Sequence, residues 1–345
     1  MRVALFHTEL SRDGPGLLYR DLIRGGDAQI DAVVRVLGHI DADILVLGGI
    51  DHDHAGLAIG ALADRLGGYP YVFHRPPNRG LATGADLNRD GRLGGPDDAL
   101  GFGPFRGSEG LAVLSRLPLA AEDVDDRTVL PWIELADHIA PDGTTALERV
   151  STTAHWRLPV DWPGGGRTDL VIWHATPPVF DGREDRNGRR NHDEARLAHD
   201  MVGAATNPVI VAAFANLDPV DGAGRPGALL ALLTDGKLWD RPPTSAGGAA
   251  ASKADGGANL RQRGDPAQDT VDWPDGPNRP GNLRVDLLVP DRAFEVSASG
   301  VFWPEEPDLF GRDVRKASRH RVVWMDLVLD RTGQSREWIG GAELR

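Results

Sequence analysis

The stretch DAQIDAVVRVLGHIDADILVLGG, residues 27–49, holds a complete helix-to-strand unit. Asp27 stands where a helix N-cap belongs, since a carboxylate there accepts the first free N–H groups. Ile30, Val33, Val34, Leu37 and Ile40 then recur at helical spacing, which places them on one face. The pattern predicts a helix over 28–40. Ile44-Leu45-Val46-Leu47 is an unbroken apolar run that stops at Gly48-Gly49. It is too short for a helix and reads as a buried strand.

Working outward, residues 2–8 read as a first strand, 56–67 as a helix ended by Gly67-Gly68, and 69–74 as a strand. Residues 75–109 form a long polar, glycine-rich connection, a length that usually marks a functional or ligand-ordered loop. A strand is expected at 111–114, a strand pair at 147–160 and 167–174, a helix at 191–202, a strand at 209–213 and a short helix at 226–233. Residues 242–281 are rich in Gly, Ala, Pro and Asp and are expected to form a partly flexible excursion. Strands at 283–289, 294–303 and 321–328 close the chain. Helix and strand alternate early and strand pairs dominate later. That mix suits an α/β (α+β) fold with two sheets face to face and helices outside. Both ends read as central strands, so residues 1–345 are expected to form a single domain. Trp156, Trp173, Trp303 and Trp324 fall in strand patterns and are assigned to the core.

The 345-residue chain is 41% hydrophobic and 26% charged, with a net charge of −13. Such a field repels nucleic acid and anionic membranes, so a nucleic-acid partner is not expected. The one dense basic cluster is Arg183, Arg186, Arg189 and Arg190. There is no cysteine, which excludes disulfides, thiolate nucleophiles and zinc–thiolate sites. No apolar run approaches the roughly 18 residues of a membrane span. The start of the chain lacks a signal-peptide pattern, which implies a cytoplasmic protein if the chain is full length and an exported one if a signal has been removed.

Asp86-Leu87-Asn88-Arg89-Asp90-Gly91-Arg92-Leu93 carries oxygen side chains at loop positions one, three and five. Glycine stands at six, Arg92 at seven and Asp97 at twelve. This is the spacing of an EF-hand calcium loop, although twelve is usually Glu. Asp86, Asn88, Asp90, Arg92 and Asp97 are therefore the expected ligand positions for a structural Ca2+. Its task would be to order the long connection.

Several separated segments, in order, complete the picture. They are Thr176 to Gly182, Glu184 to Asn191, Gly281-Asn282-Leu283-Arg284-Val285-Asp286, Gly300 to Pro304 and Ser318-Arg319-His320-Arg321. Over nearly the whole chain this series resembles the endonuclease/exonuclease/phosphatase, or deoxyribonuclease I-like, family, and most closely a bacterial subgroup. The resemblance implies a four-layer α/β/β/α sandwich of two packed mixed sheets. It also implies phosphoester hydrolysis assisted by Mg2+, which polarises a phosphoryl oxygen. His174 and His320 match the two family histidines. Glu109 and Asp286 match their orienting carboxylates, and Asn216 matches the asparagine of the Gly-Asp-x-Asn motif.

The metal half of that pattern is substituted. His7 stands in the slot of an Asn, Gly49 in that of the principal metal-binding Glu, Phe214 in that of an Asp, and Arg319 in that of the Asp in Ser-Asp-His. A hard dication needs anionic oxygens, so Mg2+ is not expected there. The leading expectation is a pseudoenzyme whose pocket binds a phosphate-containing small molecule or a protein partner. Arg319, Arg186 and Asn187 are the expected phosphate donors. Two alternatives stand beside it. One is an active hydrolase with a rebuilt site, either metal-free with His and Arg or holding zinc or manganese through His7, His174, His320 and Asp51-His52-Asp53-His54. The other is a structural or protein-interaction module.

Overall fold

A computed structural model of the chain describes residues 1–329 apart from 89, 163, 164, 277 and 306. Its strands are β1 (Arg2–Leu10), β2 (Ile44–Ile50), β3 (Tyr71–His74), β4 (Gly110–Ser115), β5 (Asp125–Asp126), β6 (His155–Asp161), β7 (Arg167–His174), β8 (Val209–Phe214), β9 (Asp286–Pro290), β10 (Phe294–Phe302) and β11 (Val322–Leu329). Its helices are α1 (Leu17–Arg24), α2 (Ala28–Ile40), α3 (Leu57–Leu66), α4 (Arg186–Ala204), α5 (Gly227–Leu233), α6 (Ala246–Asp255) and α7 (Gly311–Ala317).

The strands form two mixed sheets. One runs β10-β11-β1-β2-β4-β3 and the other β5-β6-β7-β8-β9. Alternation along each strand decides which side chains meet. Val3 and Leu5 of β1 and Ile44 and Val46 of β2 face inward, against Leu170 and Ile172 of β7 and Ile210 and Ala212 of β8. Ala4 and Phe6 point the other way, onto α2, α3 and α7. Val209, Val211 and Ala213 point outward onto α4 and α5. The layers are therefore helix, sheet, sheet, helix, as the resemblance implies.

Asp27 caps α2 as its position predicts, accepting the N–H groups of Gln29 and Ile30. Other boundaries shift, for identifiable reasons. The strand expected at 147–160 starts only at His155. The carbonyls of Ser151 and Thr153 are bound by Asn78 instead of a neighbouring strand. The strand expected from 283 starts at Asp286, because the N–H of Arg284 goes to Asp218 and those of Val285 and Asp286 go to the Thr270 hydroxyl. The 242–281 excursion contains α6, capped by Ser245. It also contains a run through Val271 that bridges to Leu283 and His320. The sequence pattern predicts neither α1 nor α7. Among the described residues no helix is long and apolar enough to cross a membrane.

Candidate active site

The inward-facing series of five strands all run out at one end of the inter-sheet core. Val3, Leu5 and then His7 lie on β1, while Ile44, Val46 and then Gly48 lie on β2. Leu170, Ile172 and His174 follow on β7, Ile210, Ala212 and Phe214 on β8, and Leu288 and Asp286 on β9. Register fixes the neighbours: His7 pairs with Gly48, His174 with Phe214, and Phe214 with Asp286. His320 enters just before β11. The period-two pattern that builds the core thus also gathers the pocket.

Three imidazoles and one phenyl ring fill this end. The His7 ring centroid lies 4.4 Å from that of His320, 4.9 Å from His174 and 5.5 Å from Phe214. His320 Nδ1 is 2.7 Å from Asp286 Oδ2, in a pair almost wholly buried. That bond leaves Nε2 of His320 for other chemistry and fixes the ring. Trp273 meets the His320 ring edge-on at 6.0 Å. Burial holds His7 and His174 well below the usual imidazole range, and neighbouring histidines and Arg79 reinforce this in both. Both rings are therefore neutral at pH 7.

The second histidine–carboxylate pair expected from the sequence does not form. Glu109 gives its carboxylate to Arg79 at 2.6 Å, and His174 Nδ1 is buried without a hydrogen-bond partner. Glu109 has a positive φ of 48°, and its N–H is held by Asp51. Asn216 sits at φ 51° and donates its amide to the carbonyl of Ala175, which ties the ends of β7 and β8 together.

At Gly48 and Gly49 the geometry is steric. Gly49 has φ +62°, and a Cβ built on it would lie 2.4 Å from His7 Cε1. A Cβ on Gly48 would lie 2.6 Å from Phe214 Cε2. His7 and Phe214 occupy the volume that side chains at 48 and 49 would need. Among the described residues no group of three or more His, Asp or Glu side chains is arranged to hold a metal ion. Asp51 binds Ser11, Arg12 and Glu109, and Asp53 caps α3 through Leu57 and Ala58. His52 faces His74 at 5.1 Å instead of joining the other imidazoles.

The expected phosphate donors also have partners. Arg319 grips Glu9 through Nε at 2.8 Å and Nη2 at 2.5 Å, and its N–H adds a third bond at 2.8 Å. Burial raises the Glu9 carboxyl, but these Arg319 bonds outweigh it and hold the group below its usual value. Arg186 is bound by Glu148 and Glu184, and Asn187 by Asp181 and the Val179 carbonyl. Asn187 fastens the loop after His174 onto α4, and Arg186 ties α4 to Glu148 in the segment before β6.

Sequence reasoning missed four contributors. Glu9 and Arg79 supply the ion pairs just described. Asn191 donates to the carbonyls of Thr176 and Ala215, and buried Glu194 accepts from Thr176 and Thr152. Burial pushes the Glu194 carboxyl up to about 7. Asn191 closes the family-like segment 184–191 without an assigned role, and Glu194 inside a polar helix gives no signal, because only tertiary packing buries it.

In the calcium-like loop, the Asp90 N–H is shared by Asp86 and Asn88, and Asp90 accepts from Arg92. The carboxylate that turns into the loop is that of Asp98, which binds Leu87, Gly94 and Gly95, rather than that of Asp97. Arg89 lies outside the described residues.

The model of the endonuclease/exonuclease/phosphatase family matches residues 21–320. No curated protein matches the sequence. Among solved structures, the chain is similar to an endonuclease/exonuclease/phosphatase from Beutenbergia cavernae, with 21% identity, a TM-score of 0.55, and coverage of 95% of this chain and 71% of that one. It is also similar to the human Nocturnin catalytic domain, at 14% identity and a TM-score of 0.54, with 95% and 94% covered. A family member from Bacteroides thetaiotaomicron gives 12% identity and a TM-score of 0.54, with 96% and 98% covered. With the two packed sheets and 300 matched residues in agreement, the chain belongs to the endonuclease/exonuclease/phosphatase family.

Proposed function

We propose that this chain keeps the fold of a phosphoester hydrolase without its magnesium chemistry, and that its histidine pocket binds a phosphate-bearing ligand without turning it over. One observation carries the reading: the interlock of Gly48 and Gly49 with Phe214 and His7. It removes the carboxylate positions and fills their space in the same step. Loss of a metal removes several kcal/mol, roughly, of transition-state charge stabilisation. Two neutral imidazoles and one Asp-oriented histidine still offer N–H donors to an anion.

The test is hydrolysis of a generic phosphomonoester and a generic phosphodiester with magnesium, manganese, zinc, calcium or chelator. The unmodified protein is expected to show no turnover above background. A variant with His7→Asn, Gly49→Glu, Phe214→Asp and Arg319→Asp together is expected to gain magnesium-dependent turnover. His7 must change with Gly49, because the imidazole blocks the new side chain. Turnover by the unmodified protein that disappears in His174→Ala and His320→Ala would establish the active-hydrolase reading instead. A folded protein that neither turns over nor binds phosphate would favour the interaction-module reading.

A second part of the reading concerns the 86–98 loop, which we propose binds calcium through Asp86, Asn88, Asp90 and the Arg92 carbonyl. Support comes from the convergence of Asp86 and Asn88 on one N–H group. Calcium is expected to raise the melting temperature, and the rise should vanish in Asp86→Ala. An equal rise in that variant sinks the assignment.

A further inference from the structure

The pocket has two arginines, and they are held in different ways. Arg319 sits on the rim with its side chain 60% exposed, and Glu9 engages three of its N–H groups. Arg79 enters from the long 75–109 connection with its side chain only 12% exposed. One arm goes to Glu109, and no acceptor among the described residues meets its buried Nε.

We propose that Arg79 is the residue that binds the phosphate group of a small phosphomonoester, beside His174 and His7, in place of the rim arginine. The inference rests on the proposed ligand-binding reading and deepens it.

The first support is anchoring. Asn78 is 2% exposed, donates its amide to the carbonyls of Thr128 and Ser151, and donates its N–H to Thr153. Gly80 has φ +69°, and a Cβ there would lie 1.7 Å from the Phe105 carbonyl oxygen. Only glycine permits that crossing, so Arg79 springs from a fixed point between two rigid neighbours. The second support is an unmet donor. A guanidinium offers five N–H groups in a planar fork, and here one carboxylate answers it.

The third support is electrostatic. Arg79 acts on both His7 and His174 and helps to keep them neutral. A bound dianion offsets that charge, so the neighbouring imidazoles take up protons more readily and donate to the same ligand. A phosphomonoester carries up to two charges and three free oxygens, enough to compete with Glu109. A long polyanion is disfavoured by the net charge of −13.

Titration calorimetry of the whole protein with inorganic phosphate tests this. Arg79→Ala is expected to weaken binding about tenfold or more, the scale of a charge-assisted fork. Arg79→Lys should recover part of that loss, since it keeps the charge without the fork. Glu109→Gln should tighten binding, because it removes the competing carboxylate. A purely structural role for the Arg79–Glu109 pair does not yield that gain. Arg319→Ala should change affinity by less than about threefold. Binding that survives Arg79→Ala but is lost in Arg319→Ala overturns the inference and leaves the ligand reading standing. A folded unmodified protein that ignores phosphate overturns the ligand reading and this inference with it. Should Arg79→Ala unfold, the opposite signs expected of Arg79→Lys and Glu109→Gln decide.

Discussion

The two halves of the pocket stand on the same strand ends but are maintained by different physics. Around β9 and β11, His320 and Asp286 are joined by a short buried hydrogen bond. Across the pocket, at the ends of β1, β2 and β8, side-chain packing takes the place of a polar pair: His7 and Phe214 fill the space beside Gly49 and Gly48. Protein interiors tolerate few voids. Removing a carboxylate side chain without replacing its volume leaves a cavity that costs stability. On the proposed reading the glycine half is a repacked site, in which volume is exchanged between neighbouring positions. The histidine half endures for another reason, since separating His320 from Asp286 leaves a buried polar group unsatisfied.

The comparison breaks most visibly at Gly49. Gly49→Ala is expected to destabilise the fold by about 2–4 kcal/mol, from overpacking together with a left-handed backbone. His7→Ala alone opens a cavity. The double variant should be more stable than the sum of the two losses implies, with a coupling of about 1 kcal/mol or more. Urea denaturation of the four proteins measures it. Simple additivity would mean that the two positions do not share one volume.

Next in size is the other half. Asp286→Ala strands His320 Nδ1 in a buried place and should cost about 1–3 kcal/mol. Asp286→Asn keeps an acceptor and should cost less. Equal losses in the two variants would show that packing, and not the hydrogen bond, holds His320.

Acid sharpens the contrast. His7 and His174 have folded-state values well below the unfolded value, so the unfolded chain binds more protons in mildly acidic solution. Their contribution is complete above about pH 6.5 and is lost as pH falls below it. His155, buried and lowered to about 3, adds the same sign. Asp269 opposes them: burial and Asp218 raise it to about 8, so its contribution is present in acid and lost as pH rises through that value. His174→Gln should therefore flatten the fall in melting temperature between pH 6.5 and 5. An unchanged slope would assign the acid sensitivity to the other buried histidines.

The sheets were legible because apolar alternation is a local signal, and the strands at 2–8, 44–47, 209–213 and 321–328 appear within a few residues of their predicted ends. The positions of His7, Gly49, His174, Phe214 and His320 at one pocket followed from spaced segments that resemble the family. The ion pairs were not legible. Glu9 turns at φ 51° within β1 to reach Arg319 from 310 residues away, and Arg79 finds Glu109 through loop crossings. Such partners are chosen by tertiary geometry, and no period in the sequence encodes them. That is why Arg319 looked like a free phosphate clamp and Arg79 went unnoticed.

The smallest effect separates those two arginines by stability alone. Arg319 is 60% exposed, so its pair with Glu9 is screened by water and should contribute at most about 1 kcal/mol despite three bonds. Raising the salt concentration should erase most of that difference between the parent and Arg319→Ala, since exposed charges feel ions directly. Arg79 is largely sheltered, and the loss in Arg79→Ala should persist in salt. Melting temperatures of the two variants at low and high ionic strength provide the check. If both losses fade together in salt, Arg79 is a rim residue like Arg319, and the distinction between an inner and an outer arginine fails.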